Sequence, residues 1–391
     1  MTPMINFKTA IVQKIIETKP GSIEIAVEIG GQAGKAINYD NLTGPVAAGD
    51  KVIVNTTAVD LSLGTGGYGF VLWNLSRGEL NSEGAAQGAG HLMKLRYTPL
   101  QTAGLSVEEE DSPHHEALRN VTSIDNLPVI ACELHSQLLP TAVTIKEIKP
   151  QARVAYIMTD GGALPSAFSK TAAWLRAHGY LDAIITAGQA FGGDFEAVNI
   201  YSALAAAKYV VNADVAVVAM GPGIAGTGTA LGHSGIEQGQ IINAASALSG
   251  RPIAALRLSQ SDARPRHLGL SHHTIAALTV AALAPAIVPV PELPDALSVF
   301  AGSINERIEQ SGIKKRHDVR LVGNNITLEA LRKIAENGGP KASTMGRGPD
   351  LEPAFFLAAG AAAIIAIEFL GACLITPDVS ENSEGESSGK A

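Results

Sequence analysis

The chain has 391 residues, of which 46% are hydrophobic and 17% charged, with 41 glycines and a formal net charge of −8. That length predicts a large core in two structured units plus a tail, and the apolar content excludes an intrinsically disordered chain. The acidic balance argues against broad nucleic-acid binding, and two cysteines, Cys132 and Cys373, are too few for a disulfide framework and fit a cytoplasmic protein.

Residues 1–75 read as β. FKTAIVQKII, SIEIAVEI, KAINY and KVIVNTTA are separated by the turn chemistry of Lys19-Pro20-Gly21, Gly30-Gly31, Gly44-Pro45 and Gly49-Asp50. Short strands with no helix between them must close on themselves or pack on another layer, which predicts a small β-barrel-like domain. Residues 76–90 are polar and glycine-rich and read as a linker or loop. HLMKLRYTPLQ resumes as a strand, Ser112-Pro113 is placed to open a short helix, and VIACEL at 129–134 is another strand. The N-terminus lacks the basic-then-apolar pattern of a signal peptide.

From Arg153 onward, strand-like runs begin near Val154, Ala183, Val215, Ile253, Ala286 and Val319, roughly 29 to 38 residues apart. That spacing is a strand, a helix and two short loops. Helices are expected at FSKTAAWLRAHGY, ended by Gly179, and from Asp194 through DFEAVNIYSALAAAKYV. Two more are expected, one from the capping box Ser234 to Glu237 and one after Ser271 until Pro285. Residues 91–376 are therefore read as a Rossmann-like α/β domain, a parallel sheet with helices on both faces. Ala354 to Ile367 is an unbroken apolar run of 14 residues before Glu368, too short for a membrane span and read as a buried helix. Residues 377–391 are polar and serine-rich and read as a disordered tail.

In open parallel sheets, ligands bind at the carboxyl ends of the strands. Four loops fall there: 159–166, 188–194, 221–233 and 259–273. Gly221, Gly223 and Gly226 match G-x-G-x-x-G after a strand, but the helix opens too late for a dinucleotide fingerprint, and Thr227 stands where a Walker loop needs Lys. What survives is an anion nest of backbone N–H groups with Thr227 and Thr229 adding hydroxyls. The same glycines also suit a long turn in which they only relieve sterics. The 259–273 loop gathers Asp262, Arg264, Arg266, His267, His272 and His273. Arginine offers a fork that fits phosphate or carboxylate, and histidine shuttles protons or binds metal. Asp160, before Gly161 and Gly162, is the carboxylate placed to act as a base, or else a turn residue bonding its own backbone.

Adjacent histidines point about 100° apart on a helix, so at most one of His272/His273 and one of His114/His115 is expected to face a given site. A metal would need a third ligand, for which Asp160, Asp194 and His233 are available without a motif to join them, and cofactor and metal use stay open. Glu133 and His135 read as ordinary surface or packing residues.

These strings carry a resemblance. LGTGGY (63–68), DSPHHE (111–116), MTDGGALP (158–165), GQAFGGD (188–194), GPGIAGTGT (221–229), SHHT (271–274) and TMGRG (344–348) resemble a bacterial family known as domain of unknown function 3866. The resemblance implies no reaction, substrate or catalytic residue.

The reading from residues alone is a small-molecule enzyme acting on an anionic, phosphorylated or carboxylated substrate. The glycine turns with Gly161 and Gly162 would hold the ligand, Arg264, Arg266 and His267 would neutralise its charge, and Asp160 with His272 or His273 would move protons. No nucleic-acid or membrane partner is expected, and homo-oligomerisation is left open. The alternative is a noncatalytic metabolite-sensing or partner-binding protein.

Overall fold

Short alternating strands bury their apolar side by closing on one another, and the first five do so. The computed structural model describes residues 5–64, 66–80 and 90–372. In it, β1 (Phe7–Lys19), β2 (Ser22–Ile29), β3 (Gln32–Asn38), β4 (Lys51–Asn55) and β5 (Tyr68–Asn74) form a closed barrel in the order β1-β2-β3-β5-β4. All pairs are antiparallel except β3 with β5. Inward residues such as Val12, Ile25, Val27, Val52 and Val54 are buried and form the barrel's own core. Residues 81–89 of the expected linker, Cys373 and the expected tail lie outside the described residues.

The second unit is built on eight strands: β6 (Pro128–Ala131), β7 (Val154–Thr159), β8 (Ala183–Ala187), β9 (Phe195–Ala197), β10 (Val215–Met220), β11 (Arg251–Ala254), β12 (Ile287–Pro291) and β13 (Asp318–Val322). They form one sheet in the order β9-β8-β7-β10-β6-β11-β12-β13, parallel throughout. Every residue of β7 and β10 is buried, which is why VAYIMT and VAVVAM read as apolar runs without alternation.

The principal helices are α1 (Leu138–Ile148), α2 (Lys170–Ala177), α3 (Ile200–Tyr209), α4 (Glu237–Ala247), α5 (His272–Ala276), α6 (Ser298–Ser311), α7 (Thr327–Glu336) and α8 (Pro353–Ala372). Side chains of α3, α4 and α6 pack in one core with one face of the sheet. Those of α1, α2, α7 and most of α8 pack in a second core on the other face. This is the Rossmann-like α/β architecture after a small barrel.

Local expectations differ in four places. Asp194 does not cap a helix; it pairs with Arg176 at 2.8 Å, β9 follows, and α3 starts behind the Asn199 cap. The expected capping box at Ser234 does not form, because the Ser234 hydroxyl accepts from Ala225 N and donates to Met220 Sδ while Glu237 turns to Thr159. The strand expected from His91 is a short hairpin of Leu92–Lys94 with Thr102–Gly104. After α5 the chain continues as a π-helical turn, Ala277–Ala281, and stops before Pro285. Helix α8 is long and apolar enough to cross a membrane, yet 67% of its most apolar window is buried in the fold.

Candidate functional site

The chain leaves β6 by way of α1 on one face and leaves the adjacent β10 toward α4 on the other. Neighbouring strands whose connections diverge in this way open a crevice at their carboxyl ends. Glu133, two residues beyond β6, lies in that crevice and is fully buried. Its Oε1 accepts from Arg257 at 3.0 Å and lies 3.3 Å from His273 Nδ1, while Oε2 accepts from the Thr274 hydroxyl at 2.6 Å. Burial alone would raise the Glu133 carboxyl, but the hydrogen bond from His273, the charge of Arg257 and the Thr274 hydroxyl outweigh it and hold it down at about 2. An ionised carboxylate thus sits under a set of imidazoles.

Four histidines from two loops meet above it. His233 stacks on His273 with ring centroids 3.7 Å apart and planes 3° apart. His267, His272 and His273 are mutually inclined, with centroids 4.4 to 5.0 Å apart. Both residues of the 272–273 pair therefore belong to one cluster, although neighbours on a helix point apart. The departure arises because His272 opens α5, where the chain turns out of the Ser271 cap. Burial, then neighbouring positive charge, pushes His233 to about 4 and His267 to about 3, and lowers His272. These three rings are neutral at pH 7 and keep a lone pair. Among the described residues, Nε2 of His272 is buried without a hydrogen-bond partner, and the ring nitrogens of His233 are buried with none of hydrogen-bond geometry, the Ala230 backbone lying near.

Beside the cluster is a cavity of about 120 Å³ lined by Gly226, Gly228, Arg257, Arg264, Arg266 and His267, among others. Arg264 is neutralised by Asp262, with contacts of 2.8 and 2.9 Å. Arg266 is exposed and makes no hydrogen bond or ion pair among the described residues. Gly226 has a steric reason: a Cβ there would stand 3.2 to 3.3 Å from the His273 ring.

The other expected residues lie elsewhere along the edge. Asp160 accepts from Gln189 N at 3.0 Å and bonds none of the clustered histidines. Gly162 and Gly221 let two loops meet backbone to backbone, since a Cβ on either would come within 2.2 Å of a carbonyl oxygen of the opposite loop. Gly161 abuts Glu237, and Gly223 is left-handed at φ 104°. The Thr227 and Thr229 hydroxyls bond each other at 3.0 Å and tie down Gly232, so they close their own loop.

Glu133 and Arg257 were not legible as site residues, though both are charged residues just past apolar strands at the carboxyl edge. Glu352 was missed too. It is fully buried and accepts from the Ser259 hydroxyl and Arg347 Nε, both at 2.6 Å, which fastens the TMGRG segment to the site loop.

Across the 221–226 turn lies a larger, mainly apolar cleft of about 920 Å³ between barrel and sheet, lined in part by Tyr39, Phe70, Leu164, Phe168 and Pro222. His135 also lines it and is pushed down to about 4 by burial, with its Nε2 2.7 Å from the Ser169 hydroxyl.

Fold and site together define a Rossmann-like α/β protein with a histidine- and arginine-lined crevice at the switch point of its sheet. The family model described as protein of unknown function (DUF3866) matches residues 35–363, and the chain belongs to that family. No curated protein and no solved structure matches it.

Proposed function

We propose that the protein is an enzyme acting on a small anionic substrate, phosphorylated or carboxylated, in the cavity at the carboxyl ends of β6, β10 and β11. One observation carries this reading: His267 and His273 line a cavity edged by the guanidinium of Arg266, and the rings packed against them, His272 and His233, hold buried nitrogens without a hydrogen-bond partner among the described residues. A buried polar atom left unbonded costs about 1 to 3 kcal/mol, so a group of them in one crevice is a cost expected of a working site. Arg266 supplies a planar fork for a phosphate or carboxylate. The cavity's volume suits the charged end of a small molecule. Asp160 is directed to Gln189, so this reading gives the reacting group to His267 and His273, the imidazoles that line the cavity.

The test is a thermal-shift titration of the full chain, freed of metal, with inorganic phosphate and with small carboxylates. A ligand at about a hundred times its dissociation constant adds roughly 2.7 kcal/mol, enough to raise the midpoint by several degrees. The expected result is a shift in the wild type that Arg266→Ala abolishes. Equal shifts in both proteins, or none, would contradict the assignment.

The cleft between barrel and sheet favours a second reading, a noncatalytic sensor whose ligand has an apolar body. That reading expects stabilisation by apolar carboxylates that survives Arg266→Ala.

A further inference from the structure

We infer that His267, His272 and His273 form a site for a single divalent metal ion of zinc type, with Glu133 and Ser271 orienting two of the ligands. The inference rests on the reading of this crevice as the functional site and adds the cofactor.

Ring spacing is the first argument. Three imidazoles that each place a nitrogen about 2 Å from one tetrahedral ion have ring centroids about 5 Å apart. The three rings here are separated by 5.0, 4.7 and 4.4 Å, with planes inclined by 46°, 86° and 55°. Their candidate ligand atoms all lie within 4.8 Å of one another. Side-chain rotation closes the remaining gap when an ion draws them together.

The second argument is the outer hydrogen bonding. A metal-bound histidine characteristically gives its other ring N–H to a carboxylate or another oxygen acceptor, which fixes the ring. His267 Nδ1 lies 2.9 Å from the Ser271 hydroxyl, and His273 Nδ1 faces the buried ion pair, 3.3 Å from both the Glu133 carboxylate and Arg257 Nη1. With the His273 proton on Nδ1, toward Glu133, both contacts leave Nε2 as the ligand atom. His272 Nε2 is buried and has no hydrogen-bond partner among the described residues, and the ion would satisfy it.

His233 is not a ligand in this arrangement. Its ring lies parallel to that of His273, so the lone pairs of the two rings do not converge. With three protein nitrogens among the described residues, the ion would keep a fourth position open toward the cavity that His267 and His273 line, as catalytic rather than structural zinc does. Imidazole-only ligation favours zinc over magnesium or calcium, which prefer oxygen. Arg257 and Arg266 add positive charge nearby, so the ion and an anionic ligand are expected to bind together.

The experiment is equilibrium dialysis of the EDTA-treated full chain against zinc chloride, with bound metal counted by mass spectrometry. Wild type is expected to retain one zinc per chain. His272→Ala and His267→Ala are each expected to bind about tenfold more weakly or worse, and His178→Ala, a surface control, to bind as wild type does. His272→Ala removes an unbonded nitrogen together with ring contacts to His267 and His273, so a cooperative unfolding transition in EDTA with a midpoint within a few degrees of wild type separates lost ligation from lost fold. Cobalt in place of zinc should give the visible absorption of a tetrahedral nitrogen site in wild type and not in His272→Ala. No stoichiometric metal in wild type, or binding in both cluster variants as tight as in wild type, would overturn the site. The phosphate shift in metal-free protein is read separately through Arg266, so either proposal can fail while the other stands.

Discussion

At Glu133 the sheet holds a carboxylate with no solvent exposure, balanced by an arginine that is itself buried, with side-chain exposures of 0% and 4%. Removing one partner of such a pair strands the other charge, which costs about 3 to 5 kcal/mol, whereas replacing both with apolar residues is far milder. Glu133→Ala is therefore expected to lose about that much in denaturant unfolding measured in EDTA, and Glu133→Met with Arg257→Met to recover most of it. A single-variant loss below about 1 kcal/mol would show that the pair does not carry buried charge. These two residues also mark where sequence reading stopped. Arg264, Arg266, His267, His272 and His273 could be gathered because they lie within one loop. Glu133 joins them from 124 positions away from Arg257, through strand order alone. Nothing local in CELHS distinguishes a residue at a switch point from one at an ordinary strand end. Asp160 illustrates the converse: a carboxylate before two glycines at the right edge, directed by the fold to Gln189 N.

Among the elements, periodicity served best where a strand is buried on both faces. Runs at Val154, Ala183 and Val215 became β7, β8 and β10, since a long apolar run bounded by glycine has few other solutions. Helix starts were less legible. Asp194 and Ser234 both have good capping chemistry, yet each is taken by a tertiary partner, Arg176 and Met220 respectively. The run at Ala354 needed the third dimension. Helix α8 packs against α1 and α7, and a Cβ added at Gly360 would stand 1.8 Å from Thr327 Oγ1 and 2.6 Å from Asn324 Nδ2. Those two side chains are fixed, because Thr327 Oγ1 lies 2.7 Å from Thr144 Oγ1 and Asn324 donates to Leu357 O at 2.8 Å. Gly360→Ala gains helix propensity, but overpacking at this contact is expected to cost about 1 to 3 kcal/mol net. Chemical denaturation reads the balance, and an unchanged or higher stability would show that α8 can shift away from α7.

For the whole molecule, sheet order places two recesses side by side, a small one edged by histidine and arginine and a large apolar one closed by the barrel. The barrel is fastened near the second recess by Lys170 of α2, which reaches Glu17 and Glu24 at 3.0 Å each. The barrel and the alternating α/β pattern could both be read from residue order, whereas their mutual placement, and hence the cleft, could not. That arrangement comes from contacts between segments distant in sequence. We propose the histidine crevice, not the barrel cleft, as the working site. Anomalous diffraction at the zinc edge from crystals grown with one equivalent of zinc and millimolar sulfate tests it most directly. The expected result is one zinc peak within bonding distance of His267, His272 and His273, with sulfate against Arg266. Zinc found only at other residues, with the crevice empty and density in the barrel cleft, would contradict it.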